Sequence, residues 1–442
     1  MPAVARGILG PVRRERIEED QAFFAERLAR RPAGARRSLA RARALAPHVG
    51  VDLDAWRARP QSVVTVVGSK GKGTAAAFAS ATLCAAGLRV GTLSSPGLRS
   101  NRERIRVDGR AISRADYVRL VREVSTALDL VAGRLPDGGY LSPSGLFTLA
   151  ALRHFAERGC DAIVAEAGMG GASDEVSLLS PAVVALTAVL EEHIGVLGAS
   201  VPEIATEKAG VVTDATRALV TGPQPHPAAD AAIDAAVRGH RCERHRVDGG
   251  DPWPPGGLRS GPGRPATPSP PPGLGGLSAR VGVLAALHLL DARGVAAPGA
   301  DVLAAVLSGV RLPGRLSHHR RGEQRWIVDC ATNPTALTVA LEHSDASIGP
   351  PTAVLTFIPQ HRDGGPLLAA LRGRPVVRVP GGRSSGRPGE GAVMRLDRVD
   401  LDALGPRVLA AGPVYFAGEV LALLGVDCET SFEVPPVPRP GS

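Results

Sequence analysis

The residues best suited to chemistry lie in the segment VVGSKGKGT, residues 66–74. β-Branched residues before the glycines predict a buried strand, and the small residues after them predict a helix. A turn between a strand and a helix points backbone N–H groups and the positive end of the helix dipole at a phosphate. The residues that we expect to bind nucleotide phosphates are Gly68, Ser69, Lys70, Gly71, Lys72, Gly73 and Thr74.

Lys72 is the residue expected to neutralise the β- and γ-phosphates of that nucleotide. The spacing departs from the common G-x-x-x-x-G-K-[ST] pattern, because Gly73 separates Lys72 from Thr74. A glycine-rich turn with stray lysines is the alternative interpretation. The strand–loop–helix setting favours the phosphate site.

Lysine is rare in this chain, which has 52 lysine and arginine residues but only three lysines, Lys70, Lys72 and Lys208. We infer that arginine occupies the positions in this chain that need only a positive charge. A lysine amine is compact, can lose its proton and can react, whereas a guanidinium stays protonated and planar. Chance placement is the alternative, but two lysines fall in the glycine loop and the third in a Glu-Lys-Ala-Gly turn, so all three are candidate functional residues.

Predicted strands and helices alternate along the first half of the chain. Continuous apolar runs predict buried strands, and longer stretches of helical character predict helices. The predicted strands cover residues 62–67, 89–93, 161–166 and 182–190, and the predicted helices cover residues 74–86, 114–131, 144–158 and 201–208. This alternation predicts an α/β fold with a parallel sheet that carries helices on both faces.

The chain changes character between residues 251 and 276, where 16 of 26 residues are proline or glycine. Such a composition sustains neither helix nor strand. The α/β pattern resumes after it, and 442 residues are enough for more than one core. We therefore predict a P-loop ATP-binding domain over residues 1–250, a Pro/Gly-rich linker over 251–277, and a smaller Rossmann-like α/β domain over 278–435.

Composition and charge argue against several other classes of protein. The net charge of +9 would suit nucleic acid, but the arginines spread along the whole chain and their densest stretch, residues 27–43, contains no aromatic residue. The five cysteines form no C-x-x-C pair, which argues against a disulfide framework or a zinc site. Because no run approaches the roughly 18 apolar residues of a membrane-spanning helix, we expect a cytoplasmic protein that binds neither nucleic acid nor membrane.

Five segments, in order, resemble those of the folylpolyglutamate synthase/dihydrofolate synthase family, a branch of the Mur ligases. The glycine loop is similar to G-[ST]-x-G-K-G-[ST]. The other four segments are LSSPGLRSNRERIRVDG (93–109), similar to S-S-P-H-L-x-x-x-x-E-R-I-R-V-x-G; IVAEAGMGGASDEVS (163–177), similar to E-x-G-L-G-G-x-x-D-x-T; LEEHIGVLG (190–198), similar to L-D-H-x-x-x-L-G; and EIATEKAGVV (203–212), similar to E-I-A-x-E-K-A-G-I-I. The resemblance covers about residues 35–425 and implies the two-domain Mur ligase fold.

The resemblance implies roles for residues of the first domain. Ser95 and Glu166 resemble ligands of a magnesium ion, and His193 resembles a ligand of a second one. A structural carboxylate and a structural histidine are the alternatives for Glu166 and His193. Lys208 matches a lysine that is carbamylated in the family, where the resulting anion supports the metal site. The catalytic residues implied are Lys72, Lys208 and His193, with ATP and Mg²⁺ as cofactors.

In the second domain, RLPGR (311–315) and IVDCATNP (327–334) resemble family segments that face the nucleotide. The resemblance implies nucleotide contacts from Arg315, Asp329 and Asn333. The family's chemistry is an ADP-forming ligation of a carboxylic acid to an amino acid such as glutamate, through an acyl phosphate, by a monomeric enzyme. In the family, the acid is a pterin acid.

Three positions depart from the family's patterns. Gly97 replaces a histidine, SPSG at residues 142–145 replaces T-[YF]-F-E, and Thr332 replaces a histidine. These departures keep two alternatives open: an amide ligase of specialised metabolism that acts on another carboxylic acid, and a degenerate homologue that binds nucleotide without ligation. A degenerate homologue would be expected to lose members of the lysine and metal set, and all are present: Lys72, Glu166, His193 and Lys208.

Overall fold

The computed structural model describes residues 23–24, 36–136, 138–250, 253–254, 270–359, 364–382 and 393–434. The chain forms two compact units, of which unit 1 comprises residues 1–310 and 430–442 and unit 2 comprises residues 311–429. Each unit has its own mostly parallel sheet. The predicted α/β class, with a larger parallel-sheet domain followed by a smaller one, is confirmed.

The main sheet of unit 1 has β1, the strand that leads into the glycine loop, near its centre. Its strands are β1 (Val63–Val67), β2 (Val90–Leu93), β3 (Ile105–Val107), β4 (Arg110–Ala111), β5 (Ala162–Glu166), β6 (Val183–Leu186), β7 (Ala218–Thr221) and β8 (Glu243–Arg246). Their order is β4-β3-β2-β5-β1-β6-β7-β8. β3 is antiparallel to both of its neighbours, β2 and β4, and the other neighbouring strands are parallel. β1, β5 and β6 are buried along their whole length, as expected for strands covered on both faces.

Unit 1 has nine described α-helices, and the four that were predicted over residues 74–86, 114–131, 144–158 and 201–208 begin within two residues of the predicted positions. The nine helices are α1 (Leu39–Leu45), α2 (Leu53–Arg57), α3 (Lys72–Ala85), α4 (Arg114–Leu130), α5 (Pro143–Glu157), α6 (Val201–Ala209), α7 (Pro227–Val237), α8 (Leu274–Arg293) and α9 (Ala300–Ser308). Four of them have a serine N-cap whose side chain accepts a backbone N–H three residues further on. These serines are Ser38 for α1, Ser113 for α4, Ser142 for α5 and Ser200 for α6.

β6 ends at Leu186, earlier than the predicted strand over residues 182–190. The chain after β6 lies over the glycine loop, where the carbonyl of Ala188 accepts the N–H of Ser69 at 2.9 Å. The side chain of Thr187 fills the space that a Cβ on Gly68 would occupy. Residues 187–190 therefore shape the loop instead of extending the strand.

Helix α8 belongs to unit 1, although the sequence placed it at the start of the second domain. The units divide after Val310 and not after residue 277. The physical reason is the packing of α8 on α3, which is so close that a Cβ on Gly282 would overlap the carbonyl of Ala75. α8 begins at Leu274, inside the predicted linker, and linker residues 251–252 and 255–269 lie outside the described residues.

By length and composition, α8 is also the one helix in the described part of the chain that could cross a membrane. The sequence analysis expected no such segment. However, 61 % of its apolar window is buried inside the protein. Burial against α3 explains its apolar composition, so α8 is interpreted as a core helix of unit 1.

The contact between α8 and the sheet edge predicts a pH dependence of stability. The rings of His288 on α8 and His245 on β8 lie with centroids 4.0 Å apart. Burial, followed by the charge of His245, lowers the pKa of His288 below its usual 6.5. The unfolded chain therefore takes up a proton first as the pH falls, and the folded state loses stability between about pH 7 and pH 5.

His288→Phe keeps a ring against His245 but cannot be protonated. We expect its free energy of unfolding, measured by denaturant titration, to fall less between about pH 7 and pH 5 than that of the wild type. His226→Gln, at an exposed position, is the control and should follow the wild type. If the free energy of unfolding falls equally with pH in the wild type and in His288→Phe, His288 is not the cause of the pH dependence of stability.

Unit 2 is built on a five-stranded sheet with the order β12-β11-β15-β10-β9. Its strands are β9 (Ser317–Arg321), β10 (Gln324–Asp329), β11 (Ala353–Thr356), β12 (Val376–Arg378) and β15 (Arg407–Ala411), and a separate ribbon contains β13 (Gly381–Gly382) and β14 (Val393–Met394). The described helices are α10 (Pro334–Ser347), α11 (Gly365–Ala370) and α12 (Val414–Leu423). β9 is antiparallel to β10, and the other strands of the five are parallel. Ile327, Leu337, Val354 and Leu409 form the centre of one apolar cluster.

Candidate active site

The glycine loop joins the buried end of β1 to the first turn of α3. Gly68 has φ +136° and Gly71 has φ +88°, conformations that residues with a side chain rarely adopt. The N–H of Ser69 is bonded to Ala188 at 2.9 Å, which holds the loop open over the start of α3. Such a loop leaves helix N-terminal N–H groups available to an anion, so the backbone fits a nucleotide phosphate.

Gly71 and Gly73 of the loop differ in the space that is available for a side chain. A Cβ on Gly71 would overlap the hydroxyl of Ser278 on α8, whereas a Cβ on Gly73 would meet the Glu166 carboxylate at an ordinary distance of 3.6 Å. We expect Gly71→Ala to lower the free energy of unfolding by about 2 kcal/mol, from overlap and backbone strain. Gly73→Ala is the matched control and should leave it unchanged or raise it by up to about 1 kcal/mol, because alanine favours the helix. Denaturant titration of both variants checks this, and equal losses would contradict it.

Two of the three lysines converge on one carbonyl of the loop. Nζ of Lys72 donates to the carbonyl of Gly68 at 3.0 Å, and Nζ of Lys208 donates to the same carbonyl at 2.9 Å. Lys208 is only 1 % exposed, and it also contacts Oε1 of Glu192 at 3.3 Å. Burial, followed by the charge of Lys72, lowers the pKa of Lys208 to about 8. Lys208 is therefore close to losing its proton at neutral pH.

His193 lies beside these lysines in an exposed segment after β6. Its φ of +53° is in the left-handed region, which histidine adopts more often than most residues other than glycine. Partial burial and the charges of Lys208, Lys72 and Lys70 lower its pKa, and Glu192 opposes them. The ring is therefore neutral near pH 7, which is the form that a metal ligand requires.

Glu166 and Ser95, the two residues compared with ligands of one magnesium ion, meet at the start of α3. Glu166 ends β5 and is 4 % exposed, and its Oε2 accepts the N–H of Ser95 at 3.0 Å. Nη1 of Arg104 donates to Oγ of Ser95 at 3.1 Å. The Glu166 carboxylate is also the nearest group to the position of a Cβ on Gly73. A carboxylate and a hydroxyl thus lie beside the phosphate loop.

These oxygen donors fit a magnesium ion that is held jointly with a nucleotide. Magnesium binds through one or two carboxylates together with phosphate and water oxygens, and does not need a closed protein cage. The described residues contain no group of three or more His, Cys, Asp and Glu side chains that could hold a metal. The structure joins Ser95 to Glu166, whereas His193 is found among the lysines. The metal roles of all three residues stay predictions.

The loop after β5 contains residues that the sequence analysis did not single out. Asp174 is fully buried, and its Oδ2 accepts the N–H groups of Gly168 and Met169, each at 3.1 Å. Nη1 of Arg37 donates to the same oxygen at 2.7 Å. This bonding fixes the chain immediately after Glu166. The signal in the sequence was the aspartate of the E-x-G-L-G-G-x-x-D-x-T pattern, which falls on Asp174, but the pattern does not reveal these bonds.

Glu207 fixes the same loop from the other side. Its Oε1 accepts the N–H of Ser173 at 2.8 Å and the Ser173 hydroxyl at 2.6 Å. Its backbone carbonyl accepts the N–H of Ala172 at 2.8 Å. Because Glu207 directly precedes Lys208, the loop after Glu166 and the helix that carries Lys208 are bonded into one structure.

The segment SPSG, where the sequence departs from the family, has an unusual environment. The Oγ of Ser142 donates to the Glu175 carboxylate, at 2.9 Å from Oε1 and 3.0 Å from Oε2. Glu175 is fully buried, and a Cβ on Gly145 would overlap its carboxylate. Burial, followed by the charge of Asp174, raises the pKa of Glu175, and Arg37 opposes this shift. A carboxylate from another segment therefore occupies the space beside residue 145.

The predicted nucleotide residues of unit 2 have bonds within that unit. Asp329 ends β10, and its Oδ2 accepts the N–H of Leu316 at 2.8 Å, while burial raises its pKa. Asn333 caps α10 by accepting the N–H of Ala336 at 2.8 Å. Nη1 of Arg315 donates to the carbonyl of Gly314 at 3.2 Å. Nucleotide contacts from these three residues stay a prediction.

The comparisons with known proteins agree with this architecture. No protein-family model matches the chain. A stretch of 177 residues is 39 % identical to a probable bifunctional folylpolyglutamate synthase/dihydropteroate synthase of Halobacterium salinarum, covering 40 % of this chain and 21 % of that protein. A stretch of 157 residues is 34 % identical to the dihydrofolate synthase/folylpolyglutamate synthase of Mycobacterium tuberculosis, covering 34 % of this chain and 32 % of that one. The matches thus span about a third or less of these curated relatives.

Solved structures resemble the chain over a greater length. Mycobacterium tuberculosis folylpolyglutamate synthase complexed with ADP superposes with a TM-score of 0.71 at 23 % identity, covering 93 % of this chain and 99 % of that one. The apo form of L. casei FPGS superposes with a TM-score of 0.70 at 23 % sequence identity. The match covers 92 % of this chain and 98 % of that one. This likeness shows that the chain has the fold of these solved structures. Over the matched stretches of sequence, the chain is similar to folylpolyglutamate synthases and dihydrofolate synthases.

Proposed function

We propose that this protein is an ATP-dependent, ADP-forming ligase that joins a carboxylic acid to an amino acid. Following the names of its relatives, the acid is a pterin acid and the amino acid is glutamate. The observation that carries the proposal is the placement of all the chain's lysines at the phosphate loop. An arginine-rich chain retains lysine only there, beside a buried carboxylate suited to magnesium.

The residues of the loop would divide the work as follows. The N–H groups at the start of α3 and the Lys72 ammonium bind the phosphates of ATP and offset the negative charge that develops at the transferred γ-phosphoryl group. Glu166 and Ser95 hold a magnesium ion, with His193 as a ligand of a second one. Bound magnesium supplies Lewis acidity and further charge compensation. The substrate carboxylate receives the phosphoryl group, and the amine of the amino acid then displaces phosphate to leave an amide.

Lys208 is proposed to act as a carbamate. Its Nζ is buried, and its pKa is lowered to about 8, so a useful fraction of the amine is neutral and able to add carbon dioxide. The product is an anion in place of a cation. The side chain of Lys208 would then place a negative charge, instead of a positive one, beside Lys72 and His193. A negative charge there would favour metal binding at His193.

A second candidate function is ligation of a carboxylic acid that is not a pterin. The specific observation is the Glu175 carboxylate that fills the space beside Gly145, within the SPSG segment that replaces the family's aromatic residues and glutamate. The lysine and carboxylate set is the same for both candidates. They differ only in the acid that the protein accepts.

Release of ADP and phosphate tests the proposal and separates the two candidates. The protein is incubated with ATP, magnesium, bicarbonate and glutamate, with and without dihydropteroate or dihydrofolate. Release that depends on the pterin acid is the expected result. Release that depends on another acid from a panel of aromatic and aliphatic carboxylic acids would favour the second candidate, and ATP binding without acid-dependent release would contradict ligation.

A further inference from the structure

Two histidines meet on the surface of unit 2, outside the nucleotide residues. His318 lies on β9 and His343 on α10, and their Nε2 atoms are 2.9 Å apart. The ring planes are close to perpendicular, at 83°, with centroids 5.1 Å apart. At this distance, the Nε2–H of one ring donates to the Nε2 lone pair of the other, so both nitrogens point at the same position. A metal ion can take the position of that hydrogen-bonded proton.

We propose that His318 and His343 form a binding site for a divalent transition-metal ion of the Cu²⁺ or Ni²⁺ type, completed by water. Imidazole nitrogens bind such ions at about 2.0–2.1 Å. Two bonds of that length to atoms 2.9 Å apart enclose an angle of about 90°. Neighbouring positions of a square-planar or octahedral site have this angle, whereas tetrahedral Zn²⁺ would need nitrogens about 3.4 Å apart.

The two rings are in the protonation state that binds metal. Burial lowers the pKa of His318, and burial together with the charge of His318 lowers the pKa of His343. Both are therefore neutral at pH 7, with a lone pair available at one nitrogen of each ring. When a metal ion binds both Nε2 atoms, the proton of the hydrogen bond moves to Nδ1 of the donor ring, and both rings stay neutral.

The fold brings the two ligands together from separate elements. His318 is held by the antiparallel pairing of β9 with β10, where it lies opposite Ile327. His343 is in the third turn of α10, whose apolar residues pack in the core cluster of unit 2. The pair is not adjacent in the unfolded chain, so an ion bound by both rings joins β9 to α10 and stabilises unit 2.

The neighbouring His319 supplies a matched control. Successive side chains of a strand point to opposite faces, so His319 faces away from His318. Its Nε2 lies 2.8 Å from Oγ of Ser317. Since the described residues hold no group of three or more metal-binding side chains, the protein supplies two ligands, and the site is an open, exchangeable one.

Calorimetric titration of Ni²⁺ into the full chain, purified without a histidine tag, tests the proposal. We expect about one equivalent to bind and the midpoint of thermal unfolding to rise. Loss of a second-shell partner costs about 10–100-fold in metal affinity. Loss of a direct ligand in His318→Ala or His343→Ala should therefore weaken binding by about 100-fold or more, and His319→Ala should bind as the wild type does.

Three results would overturn the site. One is the absence of Ni²⁺ and Cu²⁺ binding at about 1 mM metal. Another is Ni²⁺ binding that is equally strong in His343→Ala and the wild type. The third is binding of Zn²⁺ more tightly than Ni²⁺, because it would contradict the right-angle geometry. Circular dichroism of each variant confirms that the comparison is made between folded proteins, and the two alanine variants must agree.

Discussion

Replacing Lys208 with arginine is expected to reduce turnover by about 100-fold or more while the protein stays folded. The guanidinium retains the positive charge but cannot take up carbon dioxide, because it does not lose its proton. The wild-type amine, with a pKa of about 8, is neutral in about a tenth of the molecules at pH 7 and in about half at pH 8. Bicarbonate should therefore stimulate the wild-type enzyme, and more of the carbamate should form as the pH rises from 7 to 8.

Steady-state measurement of ADP release, with and without bicarbonate, checks this prediction. Lys208→Ala is the informative second variant, because the space left by the side chain can admit a short carboxylic acid such as acetate. We expect acetate to restore part of the activity of Lys208→Ala and none of Lys208→Arg. A Lys208→Arg protein with wild-type turnover would exclude the carbamate, whatever the substrate proves to be.

Glu166→Gln is expected to lower kcat/KM by about 10²–10³-fold. The amide keeps the shape of the side chain and can still accept the N–H of Ser95, which is bonded at 3.0 Å in the wild type. What is lost is the negative charge that a magnesium ion requires. The loss should therefore be in catalysis and in magnesium dependence, with little change in the midpoint of unfolding.

Measurement of the rate of ADP release against magnesium concentration distinguishes a loss of magnesium binding from a structural effect of Glu166→Gln. The variant should need more magnesium to reach half of its maximal rate. Glu191→Gln, at an exposed position near His193, is the control and should keep the wild-type magnesium dependence. An unchanged magnesium dependence in Glu166→Gln would leave Glu166 as a structural carboxylate.

The strand, glycine loop and helix around Lys72 could be predicted because consecutive residues determine all three. The β-branched run, the glycines and the small-residue helix define a strand, a turn and a helix through local preferences alone. The N-cap of α6, Ser200, is equally local, because its side chain accepts the N–H of Glu203 three residues further on. Lys208 was also found from the sequence, through its rarity among arginines and the resemblance around it.

Contacts between distant segments could not be predicted in this way. Arg37 and Asp174 are 137 residues apart, and their bond depends on how the chain at α1 packs against residues 175–178 after β5. The carboxylate of Glu175 fills the space beside Gly145, although no local pattern joins residues 145 and 175. The unit boundary lies after Val310 because α8 packs on α3, a long-range contact that a Pro/Gly-rich composition upstream does not reveal.

Transfer of ¹⁸O tests the central claim, ligation through a phosphorylated carboxylate, most directly. The acid that supports ADP release is prepared with ¹⁸O in its carboxyl group and incubated with ATP, magnesium, bicarbonate and glutamate, and the phosphate is analysed by mass spectrometry. Attack of a carboxylate oxygen on the γ-phosphorus predicts one ¹⁸O atom in each phosphate released, with ADP unlabelled. Unlabelled phosphate, or ¹⁸O in AMP, would contradict an acyl-phosphate ligase built on this phosphate loop.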